Sequence, residues 1–151
     1  MSLLRKFLRQ SRADRRRLAA AAILHAIVAT AVRALPFARV RRLLDRLATF
    51  ARGTGGAGDV EARVIHAVRS VSAVLPGATC LTEALVAEVL LRRAGCETRL
   101  CFGVSGAEPT DRPFDAHAWL ERRGVTIIGA RGIAYDQLAS PRQCEPSPSA
   151  R

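Results

Sequence analysis

Thr79-Cys80-Leu81-Thr82-Glu83-Ala84-Leu85-Val86-Ala87-Glu88-Val89-Leu90-Leu91-Arg92-Arg93-Ala94-Gly95 is the stretch around which this chain is organised. Pro76-Gly77 stands just before it and halts whatever comes earlier. Gly95 closes it, where a helix end favours a residue tolerant of the left-handed conformation. Between them lie good helix formers, apolar on most faces, with Arg92 and Arg93 in the last turn where cations suit the dipole. A helix of that kind is central and buried. Cys80 falls in its first turn, among N–H groups that lack intrahelical acceptors and at the positive end of the dipole. That setting favours a thiolate, the nucleophilic form.

The chain around this helix has 151 residues, enough for one domain with a real core. Apolar residues make up 49%, which excludes a disordered protein. The net charge of +11 asks for an acidic partner or a nucleic acid. One Trp, one Tyr and five Phe leave few platforms for base stacking, so an acidic peptide or protein is the preferred reading. The four cysteines, Cys80, Cys96, Cys101 and Cys144, form no CxxC pair and no metal-ligand rhythm with the three histidines. No metal and no cofactor are expected in this chain. Reduced thiols and a basic N-terminus without a cleavable signal read as cytoplasmic.

Upstream, Leu3, Leu4, Phe7 and Leu8 can line one helical face. Residues 18–35 are the segment most like a membrane helix, but they are Ala-rich, contain His25 and reach Arg33 after about fifteen residues, short of the ~20 that a span needs. Packing on the chain's own domain or on a partner is expected, with a peripheral membrane contact left open. A second helix is expected from Ala38 to Ala51, and a third from an Asp59 N-cap with Val60, Val64, Ala67, Val68 and Val71 at helical spacing. Gly53-Thr54-Gly55-Gly56-Ala57-Gly58 reads as a linker, since no Gly-Lys-Ser/Thr follows to make a phosphate loop. After Gly95 the period changes to two. Thr98 to Val104, Phe114 to Glu121 and Val125 to Ile128 read as strands, the last two joined by a turn at Arg122-Arg123-Gly124. Tyr135 to Leu138 is expected to form a terminal turn. The division is an N-terminal helical region 1–52, a linker 53–58, a core 59–140 and a disordered tail 141–151. Helices first and a small antiparallel sheet after them make an α+β domain.

His117 shares a strand face with Asp115 and Trp119, while Ala116, Ala118 and Leu120 take the other. The alanines beside it leave room for the cysteine helix to pack on the sheet. In that arrangement Cys80 attacks an amide carbonyl, and His117 takes the thiol proton and returns one to the leaving amine. The Cys80 N–H helps to hold the oxyanion.

Four runs carry a family resemblance. They are Thr79-Cys80-Leu81 with Ala84-Leu85, Leu90-Leu91-Arg92-Arg93-Ala94-Gly95, Leu100-Cys101-Phe102-Gly103-Val104, and Phe114-Asp115-Ala116-His117-Ala118-Trp119-Leu120. Together they resemble the transglutaminase-like leader peptidase of lasso peptide biosynthesis, in the form of the stand-alone C-terminal half of that family's B protein. Leu35-Pro36-Phe37 extends the likeness weakly to the N-terminal helices. The resemblance implies a transglutaminase-like, papain-like cysteine protease that cuts the leader from a ribosomally made precursor. It implies two partners, a small leader-recognition protein and a macrolactam synthetase. ATP is used by that synthetase and not by this chain.

A triad needs a third group to orient the histidine, usually a carboxylate on the following strand. Across the Arg122–Gly124 turn, the residue opposite His117 falls near Ile128 to Ala130, and none of these is acidic or an amide. Asp115 faces the same way as His117, about 6–7 Å along the strand. Asp136 is the other candidate, if the chain folds back after Gly132. A Cys–His dyad assisted by a main-chain carbonyl is the third arrangement. Two other function classes stay open: a non-catalytic transglutaminase-like scaffold binding the precursor or synthetase, and an acyltransferase or deamidase using the same pair. Cys101 reads as a small buried residue, and Cys96 and Cys144 carry no assigned role.

Overall fold

In the computed structural model, residues 11–49, 57–104, 116–130 and 136–139 are described. Four helices, α1 (Arg12–Ala34), α2 (Phe37–Thr49), α3 (Ala57–Ser72) and α4 (Cys80–Arg93), precede four strands, β1 (Arg99–Val104), β2 (Ala116–Arg122), β3 (Val125–Ile128) and β4 (Asp136–Ala139). The mixed α+β order expected from the change of period is the one observed.

Helix α1 starts at Arg12, not Leu18, because Ser11 caps it: the Ser11 hydroxyl accepts from the Asp14 N–H at 3.1 Å. It ends at Ala34, and the C-cap Leu35 is extended at φ −127°, as the residue before a proline tends to be. With 23 residues it is long and apolar enough to cross a membrane, longer than the segment expected from sequence. Ala21, His25 and Val28, spaced for one helical face, are buried in the core. Helix α2 buries Val40, Leu44 and Ala48 together with Arg41.

Helix α3 begins at Ala57, so Asp59 is not its N-cap but lies in its first turn, where it pairs with Arg63 at 2.8 Å. The last two residues of the expected linker are thus helical, and residues 53–56 lie outside the described residues, as do Leu3, Leu4, Phe7, Leu8, the 105–113 loop and the 141–151 tail.

Thr79 is the N-cap of α4. Its hydroxyl accepts from the Thr82 N–H at 3.2 Å, and the Thr82 hydroxyl accepts from the Thr79 N–H at 2.9 Å, a reciprocal capping box. The helix ends in a Schellman motif, with Gly95 at φ +80°, its N–H on the Arg92 carbonyl and the Cys96 N–H on that of Leu91. Thr82 and every residue from Ala84 to Val89 are buried, as expected of a central helix.

The sheet order is β3-β2-β1-β4, with antiparallel pairing throughout. The two-residue turn Arg123-Gly124 has both residues at positive φ, the geometry that suits a right-twisted hairpin. The expected terminal turn at 135–138 is instead strand β4, paired on β1. Pairing with β1 makes a strand of these residues, since four residues carry too little alternation to show one by themselves. Leu100, Leu120 and Ile128 are in register with one another across β1, β2 and β3 and join the helices in one hydrophobic cluster. Ala21, Val28, Val40 and Leu44 belong to that cluster with Val68, Leu85 and Leu91, so the N-terminal helices and the rest share a core. A buried ion pair fastens α2 to α4: Arg41 donates to both carboxylate oxygens of Glu88, with Arg92 donating to Asp45 at 2.7 Å beside it.

Candidate active site

Cys80 is the first residue of α4, directly after its capping residue. A helix leaves its first N–H groups without intrahelical acceptors, and the capping box employs that of Thr82. Among the described residues the Cys80 and Leu81 N–H groups therefore stay available as donors. The residue is half-buried, while Cys96 and Cys101 are buried, and all three are free thiols.

Cys80 and His117 line the same cavity of about 590 Å³, together with Thr79, Glu83, Arg69 and Gly129. Four parts of the fold meet there: the end of α3, the head of α4, the start of β2 and the residues just past β3. His117 is 4% exposed, and its ring stacks on that of Trp119 at 6.1 Å between centroids. Trp119 is held in turn by its indole N–H donating to Glu121 at 2.7 Å.

The His117 Nε2 lies 2.6 Å from the Gly129 carbonyl oxygen. A carbonyl can only accept, so Nε2 carries the proton, and in the neutral ring the lone pair lies on Nδ1. This contact fixes the tautomer and the orientation of the His117 ring. Gly129 reaches it through a conformation closed to other residues. Its φ is +81°, and a Cβ would stand 2.9 Å from the Ala118 carbonyl oxygen and 3.1 Å from the Trp119 Cβ. Arg69 donates to the carbonyl of Ile127, two residues before Gly129, at 3.0 Å, tying edge strand β3 to α3 at the cavity wall.

Of the two carboxylates considered from sequence, Asp115 lies outside the described residues. Asp136 sits on β4, where it pairs with Val104, so β1 lies between it and the strand of His117. The register aligns Gln137, not Asp136, with His117 across Gly103. Sequence reasoning missed Glu83 and Arg69 as cavity residues. Glu83 is three residues beyond Cys80 and so on its helical face, a signal that was present. Arg69 reaches the cavity through tertiary packing alone.

Burial, with the Glu121 carboxylate nearby, pushes the Cys101 thiol up to about 11, as suits a packed residue and not a nucleophile. Among the described residues no group of three or more His, Cys, Asp or Glu is arranged to hold a metal ion.

A family model described as Transglutaminase-like superfamily matches residues 2–140. No curated protein and no solved structure matches the chain.

Proposed function

The chain belongs to the transglutaminase-like superfamily, which includes cysteine peptidases, and from that premise we propose that it is a cysteine peptidase with Cys80 as nucleophile and His117 as general base and acid. The observation that carries the reading is the cavity shared by Cys80 at a helix head and a histidine whose proton is pinned on Nε2 by the Gly129 carbonyl. His117 Nδ1 takes the thiol proton, and the thiolate attacks the scissile carbonyl. The Cys80 and Leu81 N–H groups face the developing oxyanion, and the Gly129 carbonyl stabilises the imidazolium. The imidazolium then protonates the departing amine, leaving a thioester on Cys80. Water, deprotonated by His117, hydrolyses that thioester and restores the thiol.

The substrate proposed is the leader region of a ribosomally made lasso precursor peptide. It is supported by the likeness of the Thr79-Cys80-Leu81 and Ala116-His117-Ala118-Trp119 runs to that family of leader peptidases. A small leader-recognition protein presents the precursor, and a macrolactam synthetase, which uses the ATP, takes the product. Activity in isolation is weak on this reading, because positioning of the substrate carries much of the rate.

The experiment is cleavage of a lasso precursor, with the recognition protein added, by wild type, Cys80→Ala and His117→Ala, followed by mass spectrometry. A single defined cut lost in both variants is the expected result. A cut that survives Cys80→Ala would sink the mechanism and leave a binding scaffold.

A further inference from the structure

Helices α1 and α2 are joined by the short Leu35–Pro36 connection and enclose a groove of about 320 Å³. Ile27 and Ala31 form one wall, and Leu43, Leu44 and Leu47 the other. Ile27 is 52% exposed, Leu43 47% and Leu47 43%, and Ile23 continues the stripe a turn earlier on α1 at 63%. Large aliphatic side chains exposed contiguously on two helices mark a contact surface.

The charges around this groove have one sign. The two helices carry nine arginines and two aspartates. Both aspartates are already engaged by arginines of the chain, Asp14 by Arg17 and Arg63, and Asp45 by Arg92 and Arg41. Arg46 lines the groove itself, and Arg39 and Arg42 stand exposed on the same helix.

We propose that the α1–α2 groove seats an amphipathic helix of a partner protein, apolar on the face it inserts and acidic on its flanks. The apolar slot receives aliphatic side chains at helical spacing, and the arginine rim selects Asp and Glu beside them. A concave slot walled by two helices suits a ridge of side chains. A lipid surface would meet only the outermost residues, since Ala21, His25 and Val28 hold α1 in the core. A second copy of the chain would bring two arginine fields together at a net charge of +11 each. The inference is independent of the peptidase chemistry.

The test uses the full chain and two labelled helical peptides about 18 residues long, a length of five turns. Both present Leu on one face, with Glu on the flanks in one and Lys in the other. Fluorescence polarisation is expected to show the Glu peptide binding at least about tenfold more tightly at 0.1 M salt, where exposed charges are still felt within ~10 Å. The Leu43→Asp, Leu47→Asp double variant loses that binding while its thermal melt stays that of the wild type. The Arg42→Glu, Arg46→Glu variant shifts the preference toward the Lys peptide, a result that no loss of folding can imitate. Four results would overturn the proposal: equal affinity for both peptides, binding unchanged in the leucine variant, binding to anionic phosphatidylglycerol vesicles with none to the peptide, or a dimer of the free chain that the leucine variant abolishes.

Discussion

At the scale of single residues, the candidate site depends most on Gly129, which has no reactive side chain. Its left-handed backbone lets the chain close over Ala118 and Trp119 and put a carbonyl on His117 Nε2. Gly129→Ala forces a Cβ against the Ala118 carbonyl and is expected to destabilise the fold by about 1–3 kcal/mol. It should also lower kcat for the proposed cleavage about a hundredfold, as small misplacements of a catalytic group do. Denaturant melts and steady-state rates measured on the same preparation separate the two effects, and a kcat within a few-fold of wild type would remove the carbonyl from the mechanism. The three described thiols give a second test. Iodoacetamide at pH 8 is expected to label half-exposed Cys80 first, with Cys96 and Cys101 modified only after denaturation. Peptide mapping that found Cys101 labelled first would contradict its packed environment. The positions of Cys80 and His117 were legible because each has a distinctive local setting, a helix head and an alternating strand. The Gly129 carbonyl was legible only as a region, Ile128 to Ala130, because an atom common to every residue leaves no mark in a sequence.

At the scale of elements, helix α4, headed by Cys80, is held at both ends and in the middle by different devices. The capping box fixes its head, the Schellman motif its tail, and the Arg41–Glu88 pair its body against α2. Removing one partner of a buried pair leaves an uncompensated charge. Glu88→Ala is therefore expected to destabilise the protein by about 3–5 kcal/mol, while Arg41→Met with Glu88→Leu recovers most of that loss. Urea denaturation of the wild type, the single and the double variant checks this, and a double variant as unstable as the single would mean that Glu88 acts through packing alone. The helix expected from Ala38 to Ala51 coincides with α2 as far as Thr49, beyond which the chain lies outside the described residues, but the sequence assigned Arg41 and Glu88 no partner, since they are 47 residues apart and meet only across two packed helices. Strand β4 escaped for a related reason: its four residues become a strand by pairing with β1, and pairing is a property of two segments.

At the scale of the molecule, buried titrating groups give stability a defined pH window. Burial pushes His25 below its ordinary 6.5, so the unfolded chain binds a proton there that the folded chain refuses. Its contribution is complete above pH 6.5 and is lost as the pH falls. Cys101 runs the other way, since its folded form keeps its proton up to about 11 and the unfolded thiol ionises near 9.0. Stability therefore declines as the pH rises from 9 towards 11. Melting temperatures across this range are expected to fall at both ends, with the acid slope reduced in His25→Leu and the alkaline slope in Cys101→Val. Unchanged slopes would assign the losses to other groups. The sequence by itself determined the order of the helices and the first three strands, the buried character of α4, and the placing of Cys80 at a helix head and His117 on a strand. These follow from composition, period and capping, which are local. Only the tertiary structure decided that α1 and α2 share the core, that Arg69, Glu83 and Gly129 border the same cavity as Cys80, and that a groove beside Arg46 lies open among the described residues between the first two helices. Those facts depend on which surfaces meet once every element has buried its apolar face, and no local pattern records that choice.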